Sequence, residues 1–501
     1  MSWDDLSKND AAWPSVAEVV AYRRKAYAVV RDVIATHPAM DGCHQLAASP
    51  TWALFMGFEH ERIHLETSSV LIRELPLRLL RRPAAWPEAH PSALAGVARE
   101  APREGMHYPA NPVVVVPAGR VSLGKPTSWP SFGWDNEYGS RQFSLPSFGV
   151  SRFAVSNGQF LAFIRGGGYS TPRFWTAEGW RWRTFRNAKW PSFWVPDGPA
   201  GLHAYTLRLT FEAVPMPWAL PAVVNVHEAR AYAAWASAAQ APGAPPLRLL
   251  TEAEHARLRA LDDAPDVDAE DSVMRLSGAA ARGIVNLQLA WGSENAVDAM
   301  PAGRSGLSGV SGSVWQWCED TAAALPGFAV HPFYEDFSTP CFDGRHHIIV
   351  GGSWASTGDL ASRFARYHFR PHFHQHAGFR LVSSAEPAQL TSHDAPPPYS
   401  HGWVPPRAPS ASPVADALAV SRALLRVAPS SAGAPPRDAD EAAARHGAAV
   451  AAALAEGARA LGHSLVDLLR AAATAAQPGS EVAATVAAAL AELEQGTPKA
   501  A

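Results

Sequence analysis

The stretch Met56-Gly-Phe-Glu-His-Glu-Arg-Ile-His-Leu-Glu-Thr-Ser-Ser-Val-Leu-Ile-Arg-Glu-Leu-Pro76, "MGFEHERIHLETSSVLIRELP", decides how this chain is read. Its apolar residues recur at helical intervals, and Pro76 stops it. A helix is expected from about Thr51 to Glu74, with Ser49 or Thr51 as its cap. On such a helix His60 and His64 lie one turn apart on one face, the spacing that sets two imidazoles on one metal ion. Glu66 falls about 200° around the helix from His64 and should not join them. Glu59 and Glu61 flank His60 and also point elsewhere. Taken alone, the pair is equally readable as polar residues of an amphipathic helix. "HERIH" also matches the HExxH pattern, but no third-ligand histidine motif follows at short range.

The rest of the chain falls into three textures. Residues 1 to 105 are helical in pattern. Val16, Val20, Tyr27, Val30 and Ile34 keep one face of a helix from Ser15 to about Thr36 apolar. Residues 106 to 385 alternate short apolar runs such as "VVVVPAGRVSLG" with Gly/Pro/Asn turns and long aromatic stretches. Helices are expected at His227–Ala239 and in "LLTEAEHARLRAL". This predicts an α+β fold with much irregular structure. The 18 tryptophans, 43 prolines and 37 glycines point to a loop-rich domain held by buried aromatics. Residues 386 to 501 read as a Pro/Ser linker and an Ala-rich tail, partly helical or disordered.

Composition excludes some classes. A net charge of −3 with 18% charged residues gives no reason to expect nucleic acid or an anionic membrane as partner. No run of 18 apolar residues occurs, and no secretory h-region opens the chain. Cys43, Cys318 and Cys341 are scattered, which fits a reducing cytoplasm and no cysteine metal site.

The opening stretch resembles the metal-binding helix of the nonheme-iron sulfoxide synthases of ovothiol and ergothioneine biosynthesis. Their HxxxHxE motif is matched by His60, His64 and Glu66. "VPAGRVSLGKP", "SFGWDNEYG", "VSNGQFLAFIRGGGY", "SVWQWCED" and "GGSWASTGDLASRFARYHFRPHFHQHAGFRL" resemble the formylglycine-generating-enzyme-like (sulfatase-modifying-factor, C-type-lectin-related) domain of the same family. The likeness covers residues 1 to about 395. "FYEDFSTPCFDGRHHIIVGGSW" is most similar to the ovothiol branch, 5-histidylcysteine sulfoxide synthase.

The resemblance implies a DinB-like helical bundle, incomplete here, followed by the lectin-like domain. It implies Fe(II) held by three histidines, with cysteine, histidine and O2 as substrates. Sulfur joins an imidazole carbon, with oxidation to the sulfoxide. It makes Tyr334 the expected catalytic hydroxyl. Arg370, and with it Arg366, is the expected clamp for a substrate carboxylate, since the guanidinium fork matches carboxylate geometry. Arg380 is expected to be structural, half of His368, His372, His374 and His376 likewise, and Trp315, Trp317 and Trp354 to be core. An ergothioneine-type substrate pair, trimethylhistidine with cysteine or γ-glutamylcysteine, is the alternative. A non-catalytic binding protein is another.

Two departures from the family pattern stand out. The segment after Met1, "SWDDLSKND", resembles an interior part of the family, so the helix bearing a further histidine ligand is expected to be missing. His44, His90 or a histidine of the second region are the candidates to replace it. The tail carries no strand–GxGxG–helix pattern of a methyltransferase.

Overall fold

The computed structural model describes residues 14–40, 51–97, 101–129, 131–262 and 285–384. The expected linker and tail, 386–501, lie outside the described residues, as does His44. Among the described residues, 14–40 belong to one compact unit and 51–384 to another.

Helix α1, Val16–Thr36, starts where the sequence places it. Ser15 caps it: its hydroxyl accepts the Glu18 N–H, and the Glu18 carboxylate accepts the Ser15 N–H in return. Its apolar face is not buried. Val16, Tyr27 and Ile34 are all exposed.

Helix α2, Trp52–Glu74, opens the second unit. Thr51 precedes it but makes no side-chain capping bond, so the expected cap is absent there. Ser49 lies outside the described residues. Trp52, Ile63 and Val70 of α2 are buried in the same hydrophobic cluster as Trp315, Trp317 and Phe379. Residues on both sides of residue 105 therefore contribute to one packed core.

Beyond α2 the unit is α+β with short elements. The strands are β1 Val113–Val116, β2 Gly119–Leu123, β3 Arg141–Leu145, β4 Phe148–Ser151, β5 Trp194–Pro196, β6 Tyr205–Arg208 and β7 Ala213–Pro215, then β8 Leu247–Leu249, β9 Trp315–Thr321, β10 His347–Val350, β11 Tyr367–Phe369, β12 Ala377–Gly378 and β13 Leu381–Ser383. The helices are α3 Asn157–Arg165, α4 Ala177–Arg186, α5 Val226–Ala238 and α6 Glu252–Asp262. One sheet has the antiparallel order β1-β4-β13-β8. A second runs β11-β10-β9-β12, with β12 parallel to β9. β2–β3 and β5–β6–β7 form smaller antiparallel sheets.

The core is aromatic, as the tryptophan count implies. Trp315, Trp317 and Trp354 are fully buried. Phe160, Phe163, Tyr232 and Phe379 pack ring on ring between α3 and α5. Arg380 is structural as expected. It donates to Gln316 and to the carbonyls of Ser151, Arg152, Ser308 and Gly309.

α5 begins on a buried capping box between Asn225 and Glu228. The Glu228 carboxylate also accepts the Tyr169 hydroxyl at 2.5 Å. Burial pushes its pKa up to about 7, against which the Tyr169 and Asn225 bonds act. The sign follows. Below about pH 4.5 the group is protonated whether folded or not; between there and about pH 7 the unfolded chain ionises first, so Glu228 costs stability as pH rises. Glu228→Gln cannot titrate. Its stability relative to the native chain should therefore improve by at most about 3 kcal/mol from pH 4.5 to 7. Denaturation midpoints across that range check this, and a pH-independent difference would refute it.

Candidate functional site

The buried face of α2 comprises Trp52, Glu59, Ile63, Glu66, Ser69, Val70 and Arg73. These residues follow the three-, four- and seven-residue repeat of one helix face. Four of them are polar, which a core-facing stripe tolerates only if each finds partners. Glu59 accepts the Asp359 N–H at 2.8 Å. Ser69 donates to the Glu66 carbonyl and lies 2.7 Å from His376 Nε2. Arg73 pairs with Glu294 at 2.7 Å, donates to the Arg208 carbonyl, and stacks its guanidinium 4.2 Å from the Phe193 ring centroid.

Glu66 is the deepest of them. Its carboxylate accepts Trp315 Nε1–H at 2.6 Å, Ser353 Oγ–H at 2.5 Å and Ser356 Oγ–H at 2.8 Å. Burial raises its pKa, and these three donors oppose the rise. The glutamate of the HxxxHxE pattern thus faces away from the histidines, as the angular spacing predicts.

The turn Gly358–Ala361 presses on α2 beside the histidines. Gly358 has φ +60°, where an L side chain is strained, and an added Cβ would sit 2.4 Å from the Glu59 carboxylate and displace it. Beneath it the buried Lys125 ammonium lies 3.4 Å from Asp359 and 3.6 Å from Glu137. This ionic layer fixes one side of α2.

His60 is half-buried and His64 exposed at the edge of that packed face. Their ring centroids are 4.5 Å apart, edge to face. Burial, then the neighbouring His64, hold the His60 pKa down, which favours the neutral imidazole a metal needs. Tyr334 is brought to them from a loop 274 residues away: its hydroxyl lies 3.3 Å from His60 Nε2. Burial raises the Tyr334 pKa, and Asp336 adds to this, so the hydroxyl keeps its proton at neutral pH.

An aromatic wall holds the tyrosine. Trp134 stacks on Phe337 at 4.0 Å and lies 6.1 Å from Tyr334; His331 stacks on Trp52 at 3.4 Å. Asp135 accepts the Ser338 hydroxyl and so pins the same loop, and burial pushes its pKa up to about 6. Sequence reasoning missed Trp134, Phe337, Trp52 and His331 as walls. The aromatic density of "SFGWDNEYG" and "HPFYEDFS" was the available signal.

The arginines part company. Arg370 is partly exposed and faces Asp343 at 3.8 Å. Burial and Asp343 raise the Cys341 pKa, and Arg370 opposes this. Arg366 differs. Four of its N–H contacts go to Glu252 Oε1 and Oε2 and to the carbonyls of Asn136 and Ala323. Expected as a substrate clamp, it is instead a buried cross-link, because its fork is already filled. His368, His374 and His376 are likewise engaged with Arg366, Ser192 and Ser69.

The donor set tests the implied metal. Two imidazoles on one helix face suit Fe(II). Among the described residues, no group of three or more His, Cys, Asp and Glu side chains is placed to hold a metal ion. His90, one proposed substitute, places its Nδ1 2.8 Å from the Ser92 hydroxyl and packs on Trp291. The described residues fit two coordination positions and do not complete the three-histidine set.

Residues 98–385 match the sulfatase-modifying factor enzyme 1-like domain family. The chain is 31% identical over 312 residues to hercynine oxygenase of Mycolicibacterium smegmatis, covering 61% of this chain and 65% of that one. It is 30% identical over 356 residues to hercynine oxygenase of Mycolicibacterium thermoresistibile, covering 68% and 69%. The chain belongs to the sulfoxide synthase family. More distantly, it is 20% identical over 428 residues to ergothioneine biosynthesis protein 1 of Neurospora crassa, covering 74% of this chain and 47% of that one. The chain thus aligns with about two thirds of the hercynine oxygenases. Among the described residues, no helix is long and apolar enough to cross a membrane.

Proposed function

We propose that this chain is an oxidoreductase that uses O2 and Fe(II) to join a thiol sulfur to the imidazole carbon of histidine or a histidine derivative, giving a sulfoxide. The observation that carries this reading is the convergence of His60, His64 and the Tyr334 hydroxyl in a family member. His60 and His64 would hold the iron, whose chemistry when bound is activation of O2. The third donor would come from outside the described residues, where His44 lies. Tyr334 supplies a protonated hydroxyl beside His60, and Trp134 and Phe337 fix its position. Arg370 would take a substrate carboxylate.

Relatives named hercynine oxygenase support trimethylhistidine as the imidazole partner. The second reading, histidine itself, is favoured by the ovothiol-like stretch 333–354. Incubation with cysteine and each imidazole under O2, with products read by mass spectrometry, separates the two. No oxygen uptake with any pair, after iron loading, would refute the enzymatic reading and favour a binding protein.

The assignment of His60 and His64 also predicts iron retention. His60→Ala or His64→Ala should each lower the iron retained by the purified chain by about tenfold or more. Elemental analysis after dialysis reads this. Stoichiometric, tightly held iron unaffected by either substitution would rule out the assignment.

A further inference from the structure

Residues 172–190, "PRFWTAEGWRWRTFRNAKW", carry five basic side chains, Arg173, Arg181, Arg183, Arg186 and Lys189, against one acid, Glu178. Helix α4 displays most of them. Thr176 caps it by accepting the Gly179 N–H at 3.0 Å, and Asn187 ends it in the left-handed region at φ 50°. Its inner side is set by two residues. Gly179 is buried against His227 of α5, and the Trp182 ring lies 5.8 Å from His227, 6.2 Å from His374 and 6.3 Å from Trp175. The outer side is basic. Arg173, Arg181, Arg186 and Lys189 are exposed and form no ion pair among the described residues, while Glu178 is engaged by Arg345 at 3.8 Å. Arg183 is half-buried, its guanidinium 5.2 Å from the Trp180 ring centroid. Amid these charges Phe185 is 87% exposed, more than any other large apolar side chain among the described residues.

Neither feature helps α4 to fold. Arg183 and Arg186, three residues apart, share a face and repel. A ring held in water forgoes the burial that stabilises every other part of this aromatic domain. An acidic and apolar surface arriving together would relieve both misfits at once.

We propose that this face of α4 docks an acidic protein segment that carries an apolar anchor for Phe185. Charge complementarity sets the sign of the partner, and the residue types set its class. Protein interfaces concentrate arginine and aromatic residues at their centre and avoid lysine, and arginine outnumbers lysine here by four to one. Single-stranded nucleic acid needs free ring faces on which to stack. Trp175, Trp180 and Trp182 pack theirs on one another, on His227 and on His374, and the chain as a whole carries −3. A membrane surface needs a stripe of apolar anchors, and within α4 Phe185 is the one large apolar residue that is exposed. The docking face is independent of the metal and of the reaction proposed above.

Calorimetric titration of the full chain with a short Glu/Asp-rich peptide bearing a central Leu-Phe pair tests it. The same peptide with a central Ala-Ala pair, oligothymidylate, and vesicles of equal parts phosphatidylserine and phosphatidylcholine are titrated beside it. Saturable binding of the Leu-Phe peptide is expected, about tenfold tighter than that of the Ala-Ala peptide and weaker at high ionic strength. Phe185→Ala should lower the affinity for the Leu-Phe peptide about tenfold and leave that for the Ala-Ala peptide unchanged. The double charge reversals Arg181→Glu/Arg186→Glu, within α4, and Arg173→Glu/Lys189→Glu, outside it, should each weaken both peptides. All these side chains face solvent, so the second pair reports even if the first disturbs the helix. No saturable binding of the Leu-Phe peptide, equal affinity for the two peptides, binding unchanged by the variants, or tighter binding of oligothymidylate or vesicles would each overturn the proposal.

Discussion

Replacing Arg73 with alanine should destabilise the 51–384 unit by about 3–5 kcal/mol. The reason is electrostatic rather than steric. Arg73 and Glu294 are each about 1% exposed, and their contact is 2.7 Å. Removing the cation leaves a carboxylate buried without its counter-charge, which costs far more than the pair contributes by existing. Two further contacts vanish with it: the bond to the Arg208 carbonyl and the stack on Phe193. Because Arg73 lies in the last turn of α2, loosening should also reach His64 and His60, about 2.5 and 3.6 turns earlier. Denaturant unfolding of Arg73→Ala, Glu294→Ala and the double variant reads the effect. The double variant should recover part of the loss, with a coupling of about 1–3 kcal/mol. A single-variant loss below about 1 kcal/mol would mean water screens the pair, contrary to its burial.

The second large effect concerns chemistry. Tyr334→Phe keeps the ring that packs on Phe337 and Trp134 but removes the hydroxyl beside His60. If Tyr334 delivers a proton in the proposed reaction, kcat should fall by about 10²–10⁴ while KM for both substrates stays within about twofold. Unfolding stability should barely change, since the ring packing on Trp134 and Phe337 is kept. A fall in kcat/KM carried wholly by KM would make Tyr334 a binding residue instead. An unchanged kcat would remove it from the mechanism.

Much of the histidine site was legible in the primary structure. The length of α2, its stop before Pro76, and the shared face of His60 and His64 follow from helical periodicity and one proline. So does the divergence of Glu66, because 3.6 residues per turn place it on another side. What periodicity could not supply was the reason for Glu66. Its three donors, Trp315, Ser353 and Ser356, lie about 250 to 290 positions away, and only the folded chain brings them together. Thr51 looked like a cap by residue type, but its backbone stays helical and its side chain makes no capping bond. Arg366 and Arg370 looked alike in "RYHFR". Tertiary structure separates them: a carboxylate and two carbonyls fill the fork of the first, while the second stays at a partly exposed edge.

The sequence by itself determined the helices α1, α2, α5 and α6 but not α3 and α4, the aromatic character of the core, the histidine pair, and the likeness to the sulfoxide synthases. Each depends on local spacing or on ordered motifs, which survive without coordinates. Only the tertiary structure decided that α2 shares one core with the lectin-like region and that Tyr334 meets His60. These are contacts between residues far apart in the chain. They are set by how buried charges and rings find partners in three dimensions, and no periodicity encodes that.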